Sequence, residues 1–169
     1  IRSIMASFFH AYDLRGTYPD EISEKEAEKL GKAYGTYTDD GVLVARDGRN
    51  HAEKITEAFI KGINSTGTDV IDAGMIPSPV AYFGISELGL ENGAVVTASH
   101  NPAEYTGFKF TKKEGLAMSR EGGMKEIEEI YDNEEFDTGQ GNVEEKDLKQ
   151  AYIEAVSEKF DVNLDVVVN

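Results

Sequence analysis

The chain alternates between segments whose apolar residues recur every three or four positions and short segments that are mostly apolar. The first pattern is typical of helices that bury one face. It predicts helices over residues 23–37, 51–64, 78–89, 119–131 and 148–160. Ser23 and Glu26 have the spacing of a capping box at the start of the first of these helices. Ser78 and Pro79 are expected to be the cap and the first helical residue of the third.

Short apolar segments lie between these helices. They predict strands over residues 42–45, 69–72 and 93–97. Residues 107–111 instead alternate, so the two phenylalanines fall on one face of a strand and Lys109 on the other. Strands followed by helices predict an α/β fold, with helix, sheet and helix layers around a mostly parallel, mixed sheet.

The same pattern divides the chain into parts. We expect residues 8–132 to form the main domain, 133–147 an acidic linker or loop, and 148–160 a terminal helix. Residues 1–7 are interpreted as a disordered start or as residues added during cloning. Residues 161–169 contain a β-rich run that either begins a second, truncated domain or forms an edge strand of the same sheet.

Composition narrows the classes of function. The 169 residues carry a formal net charge of −15 and include no cysteine. So acidic a chain repels phosphate backbones, and we expect no nucleic-acid binding. Disulfides and thiolate metal sites are excluded. We also expect no membrane partner and a cytoplasmic location, because no apolar run approaches the ~18 residues of a membrane span and no signal peptide is recognisable.

A polar turn follows the apolar strand at residues 93–97. Strand ends of this kind are where α/β proteins place their chemistry. Ser99 offers a hydroxyl, His100 an imidazole and Asn101 an amide within three consecutive positions. Taken alone, the same residues suit an ordinary strand-to-turn joint with a helix-capping serine equally well.

Basic residues near the other strand ends favour a functional interpretation. Arg49 follows the strand at residues 42–45, Arg15 lies in a glycine-ended turn near the N-terminus, and Lys109 projects from the alternating strand. Each of them singly is as consistent with a solvated surface side chain. Together, cations around one serine in an acidic chain favour phosphoryl transfer, which depends on stabilising charge on the transferred oxygens.

Other serine and nucleotide chemistries lack their motifs. The nucleophile elbow Gly-x-Ser-x-Gly is absent around Ser99. His100 directly follows Ser99 and is expected to be poorly placed as a triad base. The P-loop, the dinucleotide fingerprint and a His-x-x-x-His metal motif are absent from the sequence as well.

Five motifs occur in one order along the chain. They are FHAYDLRG at residues 9–16, RDGR at 46–49, GMIPSP at 74–79, TASHNP at 97–102 and GFKF at 107–110. With them the sequence resembles the α-D-phosphohexomutase superfamily, specifically the first, N-terminal domain of the phosphomannomutase/phosphoglucomutase branch. The resemblance runs from about Phe8 to the end of the chain.

The resemblance implies an enzyme that interconverts hexose 6-phosphate and hexose 1-phosphate through a phosphoserine and a bisphosphorylated sugar. It implies that Ser99 is the phosphorylated serine and that an oxygen of its phosphate binds Mg²⁺, whose other ligands lie in a further domain. The expected catalytic residues are Ser99, His100, Lys109 and Arg15, and the expected substrate-binding residues are Tyr12, Arg15, Asn101 and Lys109. The expected partners are mannose or glucose phosphate and the remaining domains of the same parent chain.

Two features depart from the family pattern. Thr106 stands where family members usually carry asparagine, and the aspartate-rich metal loop is absent, so we expect the fragment alone to have little or no mutase activity. Two alternatives remain open. One is a non-catalytic module that binds a phosphosugar or a partner protein. The other is a phosphoglucosamine mutase, whose members usually open with a Gly-Thr-Asp-type stretch where this chain has Ala11-Tyr12-Asp13.

Overall fold

A mixed sheet forms the centre of the computed structural model, which describes residues 8–38 and 40–160. Its strands in the described residues are β1 Leu14–Thr17, β2 Val42–Arg46, β3 Val70–Met75, β4 Asn92–Val96, β5 Tyr105–Lys112, β6 Leu116–Ala117 and β7 Val143–Glu145. The spatial order is β1-β5-β4-β2-β3-β7, and the short β6 also pairs with β5. The strands β4, β2, β3 and β7 run parallel, whereas β5 is antiparallel to its neighbours. The predicted mostly parallel, mixed sheet is confirmed.

Helices cover both faces of this sheet. In the described part of the chain they are α1 Glu24–Tyr37, α2 Ala52–Asn64, α3 Ser78–Glu87, α4 Lys125–Asn133 and α5 Lys149–Ser157. Leu30, Phe59 and Ile127 place α1, α2 and α4 in the core on one face. Ile85 of α3 and Leu148, next to α5, belong to a second core on the other face. The predicted three-layer arrangement is therefore confirmed. None of the helices described has both the length and the apolar character that crossing a membrane requires.

Two helix starts test the capping predictions. Ser23 caps α1 as predicted, because its hydroxyl accepts from Lys25 N at 3.2 Å while Glu26 accepts from Ser23 N at 3.2 Å. The cap predicted for α3 is wrong by one residue: Pro77 occupies the cap position and Ser78 is already helical. The rigid φ of proline suits both the entry to a helix and its first turn, so the Pro-Ser-Pro segment starts the helix without a side-chain cap.

Two strands lie where the sequence predicts turns or loops. β1 falls in the glycine-ended turn predicted near Arg15, and it is a strand because it pairs with the distant β5. β7 falls in the acidic linker or loop predicted over 133–147, and all three of its residues are exposed. Backbone pairing with β3 holds β7 in place, together with the Asp69 carboxylate, which accepts from Asn142 N at 2.6 Å. Neither strand has an apolar pattern that sequence reasoning can detect.

The helix predicted from residue 119 begins later than expected. Residues 120–124 form a wide turn in which Gly123 has a φ of +138°, and α4 starts only at Lys125. A side chain at Gly123 would collide with the Tyr37 hydroxyl, so glycine is required there and regular helix is interrupted. The predictions for residues 1–7, for Asp39 and for residues 161–169, including the strand near the end of the chain, lie outside the described residues.

Helices α1 and α2 cross at a contact between their backbones. A Cβ built on Gly31 would overlap the carbonyl oxygen of Phe59, and one built on Gly62 would overlap the carbonyl oxygen of Glu28. The two glycines therefore let the helices approach more closely than any side chain would allow. This contact brings Phe59 into the aromatic core, where its ring centroid lies 5.8 Å from that of Tyr34 and 4.8 Å from that of Phe108.

We predict that Gly62→Ala lowers the free energy of unfolding by about 2 kcal/mol, because the helices must separate or distort to admit the methyl group. Helix propensity alone would raise the free energy of unfolding instead, since alanine is favoured over glycine in a helix by roughly 0.5–1 kcal/mol. Urea unfolding measures the change. Gly41→Ala is the control, since among the described residues other than its chain neighbours its Cβ would meet no atom closer than 3.6 Å. Equal effects of both substitutions would contradict the prediction.

Candidate active site

Ser99 occupies the tip of a tight turn that begins where β4 ends. Its φ of 55° lies in the left-handed region, which residues other than glycine adopt at a cost. The Thr97 hydroxyl accepts a hydrogen bond from Ser99 N at 3.0 Å, and Asn101 N donates to the Ala98 carbonyl at 3.1 Å. These two bonds close the turn, and Ser99 remains half-buried at the edge of the sheet.

The imidazole of His100 contacts the Ser99 hydroxyl. His100 Nδ1 lies 3.1 Å from Ser99 Oγ, within the range for proton transfer between a hydroxyl and a base. The contact places His100 within reach of the neighbouring hydroxyl, whereas the expectation concerned its suitability as the base of a hydrolase triad. His100 is exposed, and no described residue hydrogen-bonds its other ring nitrogen, so the pair lacks the third group that orients the base in a hydrolase triad.

Arg15 extends from β1 to the turn that carries Ser99. Its Nε donates to Asp13 Oδ2 at 2.8 Å, Nη2 donates to the same oxygen, and Nη1 lies 3.5 Å from Asn101 Oδ1. Asp13 offsets much of the positive charge of Arg15. An arginine has five N–H donors, and two of those of Arg15 have no partner in the part of the chain that the structure describes. The side chain is 35% exposed, so these donors are accessible to a ligand.

A cleft of about 570 Å³ opens beside the turn. Its lining includes Tyr12, Asp13, Arg15, Glu21, Asn101 and Tyr105. The structure therefore brings together Tyr12, Arg15 and Asn101, three of the residues expected to bind the substrate. Glu21 adds a negative charge, because hydrogen bonds from the backbone N–H and the hydroxyl of Thr17 lower the pKa of its carboxyl.

Arg49 binds the backbone of the serine loop, which we define as residues 99–105. Its Nη2 donates to the carbonyls of Ser99 at 3.2 Å and Asn101 at 2.7 Å, and its Nη1 donates to those of Pro102 and Tyr105, the latter at 3.2 Å. Its Nε donates to Asp47 Oδ2 at 3.1 Å. All five N–H donors are used. The sequence analysis counted Arg49 among the cations available to a phosphate. That expectation is wrong, because the protein itself binds every donor of this side chain.

Carboxylates offset the cationic charge near the strand ends. Asp13 pairs with Arg15 and Asp47 with Arg49. The free positive charge around Ser99 is consequently smaller than the sequence indicates. In the described residues, no group of three or more histidine, aspartate or glutamate side chains could hold a metal ion.

Lys109 shares a face of the sheet with Arg15. Its neighbours Phe108 and Phe110 are buried on the opposite face, as the alternation predicts. Arg15 pairs with Gly107, two residues before Lys109, so the two cations are diagonal neighbours whose backbones are typically ~7–8 Å apart. The side chain of Lys109 makes no hydrogen bond or ion pair with another described residue, and none joins it to Ser99.

Sequence reasoning missed three residues that hold the site together. Asp13 and Asp47 orient the two arginines, and the repeated Asp-x-Arg spacing was the available signal. His51 Nε2 lies 3.1 Å from the carbonyl oxygen of Tyr105. Since a carbonyl only accepts, that nitrogen must carry the proton. No sequence signal identifies His51, because its partner is a backbone atom more than fifty positions away.

Comparisons with known proteins agree on one family. The model of "Phosphoglucomutase/phosphomannomutase, alpha/beta/alpha domain I" matches residues 6–138. The chain is 35% identical over 168 residues to a phosphoglucomutase/phosphomannomutase of Thermococcus kodakarensis, covering 94% of this chain and 37% of that protein. It is 36% identical over 156 residues to a probable phosphoglucosamine mutase of the same organism, covering 89% of this chain and 34% of that protein.

A solved structure shows the same fold. The crystal structure of a phosphoglucomutase/phosphomannomutase family protein from Burkholderia thailandensis matches with a TM-score of 0.85 and 32% identity, over 94% of this chain and 37% of that one. The chain thus spans little more than a third of the length of these related proteins.

We predict that Ser99→Gly is more stable than Ser99→Ala by about 0.5–1 kcal/mol. Both substitutions remove the hydroxyl, so they differ only in the backbone. The left-handed conformation costs residues other than glycine roughly 1–2 kcal/mol, and glycine avoids this cost. The greater chain entropy of glycine in the unfolded state offsets part of that gain. Urea unfolding measures the difference. The same pair of substitutions at Glu57, exposed within α2, is the control and should give the reverse order. An alanine variant at position 99 as stable as the glycine variant would contradict the prediction.

Proposed function

Because the chain belongs to the phosphoglucomutase/phosphomannomutase family through its alpha/beta/alpha domain I, we propose that it is the catalytic-serine domain of a phosphohexomutase. The intact enzyme interconverts hexose 6-phosphate and hexose 1-phosphate through a phosphoserine and a bisphosphorylated sugar. The observation that carries the proposal is the position of Ser99, whose hydroxyl lies at the tip of a strained turn, 3.1 Å from an imidazole nitrogen. Strain of this kind clusters at functional sites.

The proposed reaction has two balanced transfers. Ser99 Oγ attacks one phosphorus of the bisphosphorylated sugar, so that the Oγ–P bond forms as the P–O bond to the sugar breaks. The hydroxyl proton passes to His100 Nδ1, and the departing sugar oxygen takes up a proton from solvent. In the second transfer a hydroxyl of a hexose monophosphate attacks the phosphoserine and gives its proton to solvent. The Oγ–P bond breaks as the new P–O bond forms, and Ser99 Oγ takes back the proton held by His100. A serine hydroxyl is a weak nucleophile without a neighbouring base, and the contact with His100 supports this assignment.

The cleft supplies the groups that bind phosphate oxygens. We assign this role to the two N–H donors of Arg15 that have no described partner, with the Asn101 amide and the Tyr12 hydroxyl beside them. Tyr12 is 66% exposed, so its hydroxyl is accessible to a sugar. Lys109 is assigned to phosphate contact or proton transfer, because it lies on the same face of the sheet as Arg15 and has no described anionic partner.

The family implies a magnesium ion, and this chain would supply only part of its ligands. A phosphate oxygen on Ser99 would be one ligand. The residues that the structure describes contain no cluster of three acidic or histidine side chains that would complete a site. They do not by themselves fit a magnesium ion, so the remaining ligands must come from another part of the enzyme.

The related proteins are named for more than one sugar. Relatives named phosphomannomutase and probable phosphoglucosamine mutase match this chain at similar identity. A phosphoglucosamine mutase is therefore the second candidate, with the same serine chemistry on an amino sugar. Because the chain spans little more than a third of its relatives, we expect it to accept a phosphoryl group without substantial mutase turnover on its own.

We predict that incubation with a hexose 1,6-bisphosphate and Mg²⁺ adds one phosphoryl group to the protein at Ser99. Intact-mass spectrometry measures the addition, first in this chain and then in the chain extended to the full length of its relatives. Ser99→Ala should abolish the mass increase, whereas Ser86→Ala, an exposed serine on α3, should leave it unchanged. A full-length protein that binds the sugar phosphate and never gains the phosphoryl group would instead be the non-catalytic module.

We further predict that His100→Gln slows phosphorylation of Ser99 by about 10²-fold or more, the usual contribution of a general base. The free energy of unfolding should change little, because the side chain is exposed. Rapid-quench sampling followed by intact-mass spectrometry measures the rate. A variant that is phosphorylated as fast as the wild type would exclude His100 as the base.

A further inference from the structure

The serine loop, residues 99–105, turns between β4 and β5. Four of its carbonyls, those of Ser99, Asn101, Pro102 and Tyr105, converge on the guanidinium of Arg49. A single side chain thus satisfies acceptors spread over the whole loop. Only the planar, five-donor fork of arginine can do so; the ammonium of lysine has three donors at one point.

Asp47 holds Arg49 in the orientation that this binding requires. Its Oδ2 accepts from Arg49 Nε at 3.1 Å and its Oδ1 accepts from Arg49 N at 3.0 Å. The backbone N–H of Asp47 donates in turn to the carbonyl of Val96, the last residue of β4, at 3.0 Å. The arginine is therefore anchored to the strand that leads into Ser99, and its side chain is only 15% exposed.

The two ends of the serine loop depend on Arg49 to different degrees. At the Tyr105 end, His51 also bonds the Tyr105 carbonyl, and Tyr18 N donates to the Glu104 carbonyl at 2.7 Å. At the Ser99 end, the carbonyls of Ser99 and Asn101 have Arg49 as their partner among the described residues, and the bonds of Ser99 N and Asn101 N stay within residues 97–101. Removing the guanidinium should therefore loosen the Ser99 end and leave the Tyr105 end in place.

We propose that Arg49 is a positioning residue: aligned by Asp47, it fixes the backbone at Ser99 so that the hydroxyl is presented to the phosphoryl group. The expected effect on phosphoryl transfer rests on the proposed function. Arg49 contributes no bond to the substrate, because all five of its donors are already bound to the protein. Its loss should therefore lower the rate of phosphoryl transfer without changing substrate binding.

The test compares Arg49→Lys with Arg120→Lys, an arginine that also pairs with a carboxylate, that of Glu128, and whose side chain has no hydrogen bond to the serine loop. In this chain, ¹⁵N relaxation should show the backbone order parameters at Ser99, His100 and Asn101 falling from about 0.85 to below about 0.6 in Arg49→Lys. Those at Tyr105 and in β2 and β4 should be unchanged. Arg120→Lys should leave the serine loop as ordered as in the wild type.

The chemical consequence is measured in the chain extended to the full length of its relatives. Arg49→Lys should reduce the saturating rate of Ser99 phosphorylation by a hexose 1,6-bisphosphate about 10²-fold, the cost of misplacing a reacting group by roughly 1 Å. The KM for the bisphosphate should stay within about twofold of the wild-type value, since only interactions with the bound substrate change ground-state binding.

Three outcomes would overturn the proposal. Unchanged order at Ser99 would show that the serine loop does not need Arg49. A loss of order that extends through β2 and β4 would make Arg49 a general structural residue. A raised KM with an unchanged saturating rate would mean that Arg49 binds the substrate. If the wild type is never phosphorylated, the proposed function fails, and the order parameters alone decide whether Arg49 positions Ser99.

Discussion

The bonds between one guanidinium and four backbone carbonyls are the interaction on which the site depends. A buried or half-buried carbonyl left without a partner costs about 1–3 kcal/mol, and without Arg49 the carbonyls of Ser99 and Asn101 would have no partner among the described residues. Arg49 satisfies them together, and Asp47 offsets the charge that this requires. The turn can then take a conformation that its own sequence disfavours, with Ser99 at a positive φ. The shape of the loop is set from outside the loop.

The electrostatics of the site follow from the acidity of the chain. The net charge of the chain is −15, so a cluster of unpaired cations would be a small positive region in a strongly negative field. The structure instead pairs Arg15 and Arg49 with an aspartate two residues earlier. The pairing orients each guanidinium before any ligand arrives. A phosphoserine carries a charge of about −1.5 to −2, larger than that of one carboxylate, so the phosphoryl group proposed at Ser99 would bind the two donors of Arg15 that Asp13 and Asn101 leave free.

The elements that could be predicted from the sequence are those with a strong apolar pattern. α1, α2 and the strands β2, β3 and β4 lie where periodicity places them, within a few residues. β1 and β7 could not be predicted, because backbone pairing with distant strands holds them and their side chains carry no pattern. The same division applies to the site. Ser99, His100 and Arg15 stand out by residue type, whereas the role of Arg49 depends on carbonyl groups, which every residue possesses.

Gly107 of β5 explains why Arg15 and the Ser99 turn can lie so close together. Gly107 pairs with Arg15 of β1, and its carbonyl accepts from Thr97 N at 2.8 Å. It therefore lies between the strand that carries the arginine and the strand end that leads to the serine. A Cβ at this position would collide with the carbonyl oxygen of Leu14 and would come within 3.0 Å of that of Thr97. A side chain here would therefore force β1 away from β5 and carry Arg15 away from Asn101. The absence of one methyl group keeps the phosphate-binding side and the nucleophile side of the proposed site within reach of a single ligand.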